Sequence, residues 1–229
     1  MQTIVIFEKP DRISNKKVHD ILVGILTFIL APVVNIAVIN SGKESALYNS
    51  LSRLAWPEGL LWLIYIWGLI NTSIFLYVTI LINKSAGYNK KWRKAFIAIP
   101  LVSLFLMTVG ISIPSYGDRG DYYNMLRTIH TSISCVGFFG FFVAILIIMG
   151  TLWTKYKKQA LILSLLATFT LIIGVFSLTC IYDPASYCTI SAPAQIIIFC
   201  MYHVDVGVTY YTLSLKDKKD EDEEYNTFA

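Results

Sequence analysis

The sequence predicts an all-α, polytopic membrane protein: a six-transmembrane-helix bundle with both termini cytoplasmic. First, 55% of the 229 residues are hydrophobic and only 15% are charged, against roughly 25% charged in soluble domains. Second, the apolar residues fall in six runs of about twenty, which is the length that crosses about 30 Å of hydrocarbon. Third, Lys and Arg are concentrated in alternate loops, as in proteins oriented by their positive charges.

The N-terminal segment, residues 1–17, is polar and is predicted to be cytoplasmic. No short apolar stretch with a small-residue cleavage site follows it, so we predict no removable signal peptide. The first span, about 18–39, contains Pro32 and Asn35. Pro32 predicts a kink, and the amide of Asn35 requires partners on neighbouring helices.

The second and third spans, about 59–82 and 95–113, are both marked by proline. Pro57 and Glu58 precede the second span. Proline suits a first helical turn, and a carboxylate near a helix N-terminus interacts favourably with the helix dipole. Pro100 lies in the first turn or two of the third span. The loop between these two spans is basic, which predicts a cytoplasmic position.

The remaining spans are about 129–152, 160–180 and 192–213, so that one transmembrane domain covers 18–214. The fourth span carries the small and aromatic run G-F-F-G-F-F. The last segment, 215–229, is densely charged, and we expect it to form a disordered acidic cytoplasmic tail. Six spans place both termini on one side of the membrane.

The formal net charge of +4 does not indicate a nucleic-acid partner, because the basic residues flank the membrane spans. With the N-terminus in the cytoplasm, the cytoplasmic segments carry 15 of the 19 Lys and Arg residues. The outer loops carry the other four, which are Lys43, Arg53, Arg119 and Arg127. We expect membrane lipids and partner membrane proteins, rather than nucleic acid, as binding partners.

The longest polar interruption between two spans, residues 113–131, holds a dense group of ionisable side chains. Its candidate site residues are Asp118, Asp121, Arg127 and His130. A His oriented by a carboxylate can act as a general base, a metal ligand or a pH sensor. The alternative is an interfacial His that only hydrogen-bonds a loop. No second His follows at metal-ligand spacing, so we predict no metal site and no cofactor.

We expect these four residues to form one polar network over the outer mouth of the bundle, met by Tyr182 or Asp183 of the last outer loop. Arg127 is too near the hydrocarbon to stay unpaired without a cost in free energy. A structural network predicts that Arg127→Ala lowers stability while His130→Ala does little. A functional site predicts that His130→Ala abolishes activity without unfolding, with function titrating between about pH 5 and 8.

The sixth span contains two ionisable residues, His203 and Asp205, and such residues inside a membrane are costly and often functional. They are two residues apart, so they point in different directions on a helix, whereas Asp205 and Thr209 share a face. The alternative to a functional site is interhelical hydrogen bonding, with Asn35 or Asn71 as partners.

Four cysteines are present, and two of them, Cys180 and Cys188, flank the last outer loop. They could form a disulfide in an oxidising compartment, and the alternative is two unpaired thiols. Cys135 and Cys200 lie inside spans, where we expect them to fill apolar space. The chain has no C-x-x-C pair, no phosphate-binding glycine loop and no G-x-S-x-G elbow, so the sequence does not favour an enzyme.

Several segments together resemble the Frag/DRAM/Sfk family of six-helix membrane proteins. The second span opens with Pro57-Glu58, and the third ends in V-G-I-S-I-P (109–114) before a polar loop and His130. The fourth span is rich in F-x-x-F, and the sixth ends in V-T-Y-Y-T-L-S-L (208–215). The resemblance covers the layout of about residues 18–214. It implies an integral protein of the plasma membrane, Golgi or endolysosomal system, in a family linked to autophagy, lipid-anchor remodelling and phosphoinositide organisation.

Two functional hypotheses follow. The leading one is a non-enzymatic multi-pass membrane protein that modulates or organises membrane lipids or partner proteins. The alternative is a small transporter or lipid-modifying enzyme, with its site at the outer mouth around His130 or at Asp205. A side-chain-packed bundle favours the first hypothesis, and a lipid-sized cleft at His130 or a wet cavity at Asp205 favours the second.

Overall fold

The computed structural model describes residues 6–8, 10–11, 13–42, 51–56, 58–114, 121–182 and 191–227. Every regular element in these ranges is helical, and the one strand-like pairing there is an isolated β-bridge between Phe7 and Tyr88. The predicted all-helical class is therefore confirmed.

Six long helices make up most of the described chain, and we name them first to sixth in chain order. They are Lys16–Ile39, Leu61–Ala86, Lys90–Ser112, Asp121–Leu152, Lys157–Tyr182 and Ser191–Thr227. Each contains a stretch that is long and apolar enough to cross a membrane, as the sequence predicted. A short helix, Leu51–Ala55, precedes the second long helix.

The first helix is wound more loosely in its middle. Residues Leu26–Leu30 form a π-helical turn just before Pro32. Proline lacks the N–H that a regular helix needs and crowds the preceding turn, and a π-helical turn is a known way to absorb such a local mismatch. On the sixth helix, Gly207 lies so close to this turn that a Cβ there would sit 2.8 Å from Thr27 Oγ1.

A tight turn joins the second and third helices. Gly87 ends the second helix with φ 72°, a left-handed conformation that glycine adopts at little cost. Asn89 then caps the third helix, because its side-chain oxygen accepts hydrogen bonds at 3.1 Å from the backbone N–H groups of Lys91 and Trp92. This cap explains why the helix begins at Lys90, earlier than hydrophobicity alone predicts.

The sixth helix continues to Thr227, beyond residue 215 where the sequence predicted a disordered tail. No glycine or proline interrupts the chain after Gly207. The charged residues are also spaced to favour a helix, since lysines precede acidic residues by four positions at 216/220, 218/222 and 219/223.

The second and sixth helices form the centre of the bundle. In their apolar stretches, 50% and 56% of the residues are buried inside the protein, against 28–33% in the other four helices. The sixth helix packs against the first, second and fifth, and the third packs along the fourth. Phe105, Leu165 and Ile172 of the peripheral helices each expose more than 60% of their surface. An apolar exterior around a partly polar centre suits helices surrounded by hydrocarbon.

Small residues bring the third and fourth helices into close contact. A Cβ on Gly137 would lie 2.7 Å from the carbonyl oxygen of Ser103, and one on Gly110 would lie 2.6 Å from the backbone nitrogen of Ser134. A Cβ on Gly140 would lie 3.0 Å from the Cβ of Ser103. The glycines of the predicted small and aromatic run therefore allow backbone-to-backbone packing, as small residues do between membrane helices.

Candidate functional site

A hydrogen-bonded amide network joins the first and second helices in the buried centre. Asn35 donates from Nδ2 to Asn71 Oδ1 at 3.0 Å and to the carbonyl of Ala31 at 2.7 Å. Trp67 donates its indole N–H to Asn35 Oδ1 at 2.8 Å. Asn71 Nδ2 donates to the carbonyl of Trp67 at 2.9 Å. Both amides thus have partners on nitrogen and oxygen, which suits a stabilising role.

His203 extends this network to the sixth helix. Its Nε2 lies 3.0 Å from the carbonyl oxygen of Asn71, and its Nδ1 lies 2.7 Å from the carbonyl oxygen of Phe199. The ring is 1% exposed. The structure therefore brings together three of the predicted intramembrane candidates, Asn35, Asn71 and His203.

Asp205 lies apart from this network, on another side of the sixth helix, and is fully buried. Its Oδ2 lies 3.2 Å from Thr170 Oγ1 of the fifth helix. Its Oδ1 has no hydrogen-bond partner among the described residues. Thr209 donates its hydroxyl to the backbone carbonyl of Asp205 at 2.7 Å and not to the carboxylate. Asp205 is thus the least satisfied of the predicted intramembrane candidates.

Sequence reasoning missed the roles of Trp67 and Thr170. Hydrophobicity treats Trp67 as one more apolar residue of the second span, although its N–H completes the Asn35 amide. Thr170 is one of several mildly polar residues inside the spans, and only the packing of the fifth against the sixth helix places it beside Asp205. The four-residue spacing of Trp67 and Asn71 was the available signal, since it places both on one helix face.

At the end of the bundle predicted to face outward, His130 is buried while Arg127 is exposed. His130 Nδ1 lies 3.1 Å from the carbonyl oxygen of Ile113, which follows the third helix, and the ring also hydrogen-bonds the backbone of Gly110. Trp56 donates its indole N–H to the neighbouring carbonyl of Ile111 at 2.9 Å. These contacts tie the start of the fourth helix and the loop before the second to the end of the third.

The other members of the predicted outer network are not described. Asp118 and Asp183 lie outside the described residues, and so do the side chains of Asp121 and Tyr182. The shared network over the outer mouth of the bundle therefore stays a prediction.

The predicted disulfide also stays a prediction, because Cys188 and the side chain of Cys180 lie outside the described residues. Cys135 and Cys200 are free, half-buried thiols. Among the described residues, no group of three His, Cys, Asp or Glu side chains is placed to hold a metal ion.

The N-terminal segment is docked against the opposite end of the bundle. Phe7 pairs by a β-bridge with Tyr88, stacks on its ring at 4.8 Å between centroids, and meets Tyr156 edge-on at 5.7 Å. Arg93 of the third helix forms an ion pair with Asp11. These contacts join the turn after the second helix to the turn after the fourth, and we call this end, around residues 87–89 and 153–156, the basic end.

Two titratable groups at the basic end are shifted by their surroundings. Burial raises the pKa of Tyr88 well above its ordinary value, although its hydroxyl bonds Thr151 Oγ1 at 2.8 Å. The hydrogen bond from Arg93 lowers the pKa of the Asp11 carboxyl, against the smaller opposing effect of burial. The Arg93–Asp11 ion pair thus attaches the docked segment to the start of the third helix.

A second polar cluster links the first, second and sixth helices at the basic end. His19 Nδ1 lies 2.6 Å from the hydroxyl of Tyr77. Tyr210 donates its hydroxyl to Asp20 Oδ1 at 2.8 Å, and Ser214 donates to the same oxygen at 3.3 Å. The adjacent polar residues His19 and Asp20 inside an apolar helix were the signal in the sequence for this cluster.

Exposed lysines surround the basic end. In the described part of the chain they are Lys17, Lys84, Lys90, Lys91, Lys94, Lys155, Lys157 and Lys158. They belong to the ends of four helices and to one turn, and the docked segment and its aromatic contacts lie among those ends. Glu8, Asp11 and Asp20 are the acidic side chains described at the same end. The result is a surface of predominantly positive charge.

The described residues are all-helical and include six helices long and apolar enough to span a bilayer, an architecture that fits a multi-pass membrane protein. Comparison with family models, with curated proteins and with solved structures finds no match for this chain. Its function is therefore argued from its own residues.

Proposed function

We propose that this chain is a non-enzymatic six-span membrane protein that organises anionic membrane lipids at its basic end, with both termini in the cytoplasm. The observation that carries the proposal is the group of eight exposed lysines at the basic end, where the docked segment contacts the turns around residues 87–89 and 153–156. The proposed location is the plasma membrane or an endomembrane of the Golgi and endolysosomal system, as the family resemblance implies.

Electrostatics supports anionic lipids as the ligand. The cytoplasmic leaflet of a membrane is negatively charged, and each Lys or Arg near its surface contributes about 1 kcal/mol of attraction. The positive-inside rule orients the same end toward that leaflet. Because the lysines are fixed on helix ends and tight turns, they present a persistent surface and not a flexible tail.

The contacts of the polar candidates favour a structural role over a catalytic one. The Asn35 and Asn71 amides have partners on both nitrogen and oxygen, and His130 is bonded to the backbone near the end of the third helix. A general base needs a ring nitrogen within reach of a substrate proton. The bonds of His130 to the backbone instead fit helix-to-helix attachment, and they weaken the alternative of an enzyme or transporter with its site around His130.

The test uses the full-length protein in nanodiscs. The acidic residues after 215 extend from the same end of the bundle, so they have to be present when the charge of that end is tested. Thermal stability is measured in phosphatidylcholine alone and with added phosphatidylserine or phosphoinositide, at low and high salt. We expect anionic lipid to raise the Tm in a salt-sensitive way. Replacing Lys90, Lys91 and Lys94 together by Gln should reduce this shift.

The matched control is Arg127→Gln, which removes an exposed positive charge at the other end of the bundle and should leave the shift unchanged. Equal stabilisation by zwitterionic and anionic lipid, or a full shift in the triple Lys variant, would contradict the proposal. Retention of another membrane protein in place of anionic lipid during purification would favour a protein that organises partner proteins and not lipids.

A further inference from the structure

Asn83, near the end of the second helix, is a buried amide without a protein partner among the described residues. It is 2% exposed, and neither its Oδ1 nor its Nδ2 has a hydrogen-bond partner there. Thr79 lies one helical turn earlier and is fully buried, and its hydroxyl has no partner in the described ranges either. The hydroxyls of Thr27 and Thr209, by contrast, bond the carbonyl four residues back in their own helix. Buried polar groups normally have a partner, so these side chains indicate a ligand.

Both side chains lie on the face of the second helix that packs against the third. Gly68, Thr79 and Asn83 are eleven and four residues apart, which is about three turns and then one turn of a helix. Gly68 shows what this face touches, because a Cβ there would lie 3.3 Å from Leu104 and 3.3 Å from Met107 of the third helix. The polar atoms of Thr79 and Asn83 are therefore directed toward the third helix.

The third helix offers a backbone carbonyl at the same level. Pro100 is buried inside this helix and has no N–H to donate to the carbonyl of Phe96, four residues back. The turn at residues 87–89 makes the two helices an antiparallel pair. Thr79, eight residues before this turn, thus lies near the level of residue 97, eight residues after it. The carbonyl of Phe96 is the third polar group at this level.

We propose that Asn83, Thr79 and the carbonyl of Phe96 form a binding site for water between the second and third helices. A buried water typically makes about three hydrogen bonds to polar groups that have no other partner. The amide of Asn83 both donates and accepts, the hydroxyl of Thr79 does either, and the carbonyl accepts. Ordered water is also one of the ways in which membrane helices satisfy a backbone group that a proline frees.

A metal cation fits this site less well than water. The second and third helices contain no Asp or Glu, and a buried cation without a carboxylate is costly. Arg93 lies near the level of Asn83, but its guanidinium bonds the carbonyl of Tyr88 and the carboxylate of Asp11. The site therefore suits an uncharged ligand that both donates and accepts hydrogen bonds.

Water at this position attaches the lysine-bearing start of the third helix to the second helix. Lys90, Lys91 and Lys94 all precede Pro100, and proline is where a helix kinks most readily. The water bridges the two helices at Phe96, just before that point. The inference concerns the interior of the bundle, so it stands whether or not the basic end binds anionic lipid.

The experiment is water-edited NMR of the full-length protein in nanodiscs with ¹⁵N-labelled asparagine, which measures how fast magnetisation passes from water protons to each side-chain amide. We expect transfer to Asn83 to be faster than transfer to Asn71 by about threefold or more, because a bound water contacts only the first amide. Asn71 is the matched control, since it is similarly buried in the same helix and its amide nitrogen and oxygen both bond protein groups.

Two further measurements define the site. A soluble paramagnetic chelate should leave the Asn83 signal intact, because water enclosed in the protein is out of its reach. Thr79→Val keeps the shape of the side chain but removes the hydroxyl, and it should slow transfer to Asn83 by about twofold. Thr27→Val is the control for this change, since the Thr27 hydroxyl bonds its own helix, and it should leave the transfer unchanged.

Transfer to Asn83 as slow as transfer to Asn71 in the wild-type protein would overturn the proposal, whether or not the variants fold. Loss of the Asn83 signal on adding the chelate would overturn it too, because the amide would then contact bulk water. Unchanged transfer in a folded Thr79→Val protein would overturn the role of Thr79 as a partner of the water.

Discussion

Trp67 donates its indole N–H to the amide oxygen of Asn35 across 2.8 Å, joining the second helix to the first inside the bundle. Trp67→Phe keeps an aromatic ring but removes this donor and leaves the Asn35 oxygen unpaired. We expect a loss of about 0.6 to 1.7 kcal/mol in the free energy of unfolding, which are the average and the maximum found for hydrogen bonds between membrane helices. Steric-trap or denaturant unfolding in a lipid environment measures this loss.

The control for this change is Trp62→Phe in the same helix, since Trp62 exposes 58% of its surface toward the outside of the bundle. It should unfold like the wild type. Equal effects of the two substitutions would show that the indole N–H of Trp67 contributes nothing beyond its ring.

Close packing of the third and fourth helices gives the next prediction. Gly137→Ala introduces a methyl group 2.7 Å from the carbonyl oxygen of Ser103, and overpacking of this kind costs about 1–3 kcal/mol. We expect a clearly lower Tm in detergent. Gly150→Ala in the same helix meets no atom within 4 Å and should leave the Tm unchanged or slightly raised. A Gly137→Ala protein as stable as the Gly150→Ala protein would show that the helices do not approach this closely.

We expect His130→Ala to lower stability more than Arg127→Ala does. This is the reverse of what the outer network predicted from the sequence requires. His130 is buried and bonded to the backbone of Ile113, so His130→Ala leaves that oxygen unpaired, at a cost of about 1–3 kcal/mol. Arg127 is exposed, and Arg127→Ala should change stability by less than about 0.5 kcal/mol. Thermal melts of both variants in the same detergent decide between these orders. A greater loss in Arg127→Ala would favour the outer network predicted from the sequence.

The architecture was predictable from the sequence because hydrophobicity and length are properties of consecutive residues. This pattern predicted the six apolar stretches. It also predicted three buried polar residues, Asn35, Asn71 and His203. Their partners were not predicted, because they depend on how helices rotate against one another. Nothing in the local sequence places Thr170 beside Asp205, or folds Phe7 back onto Tyr88.

The stability that the docked N-terminal segment gains from the Asp11–Arg93 ion pair should be lost in acid. The pKa of Asp11 is lowered by Arg93, so the ion pair stabilises the fold above the ordinary pKa of about 3.9 and is lost as the pH falls through the lowered value. The side chains of Asp11 and Arg93 are 46% and 29% exposed, so the contribution is small, about 0.2–1 kcal/mol.

The corresponding measurement compares the Tm of wild type and Asp11→Asn from pH 7 down to about pH 2. The difference should be present at pH 5 to 7 and should vanish at the acid end. Glu8→Gln, at an exposed neighbouring position, is the control and should show no such difference. A difference that persists unchanged at the lowest pH would rule out the ion pair as its source.

The most direct test of the account is which side of the membrane the basic end faces, because binding to anionic cytoplasmic lipid requires that side. Single cysteines are placed in a cysteine-free protein in intact cells, at Lys91 in the basic end and at Ser41 at the other end of the first helix, both exposed. We expect a membrane-impermeant thiol reagent added from the outer or lumenal side to label position 41, and to label position 91 only after permeabilisation. Labelling of position 91 and protection of position 41 would contradict both the orientation and the proposed lipid-binding function.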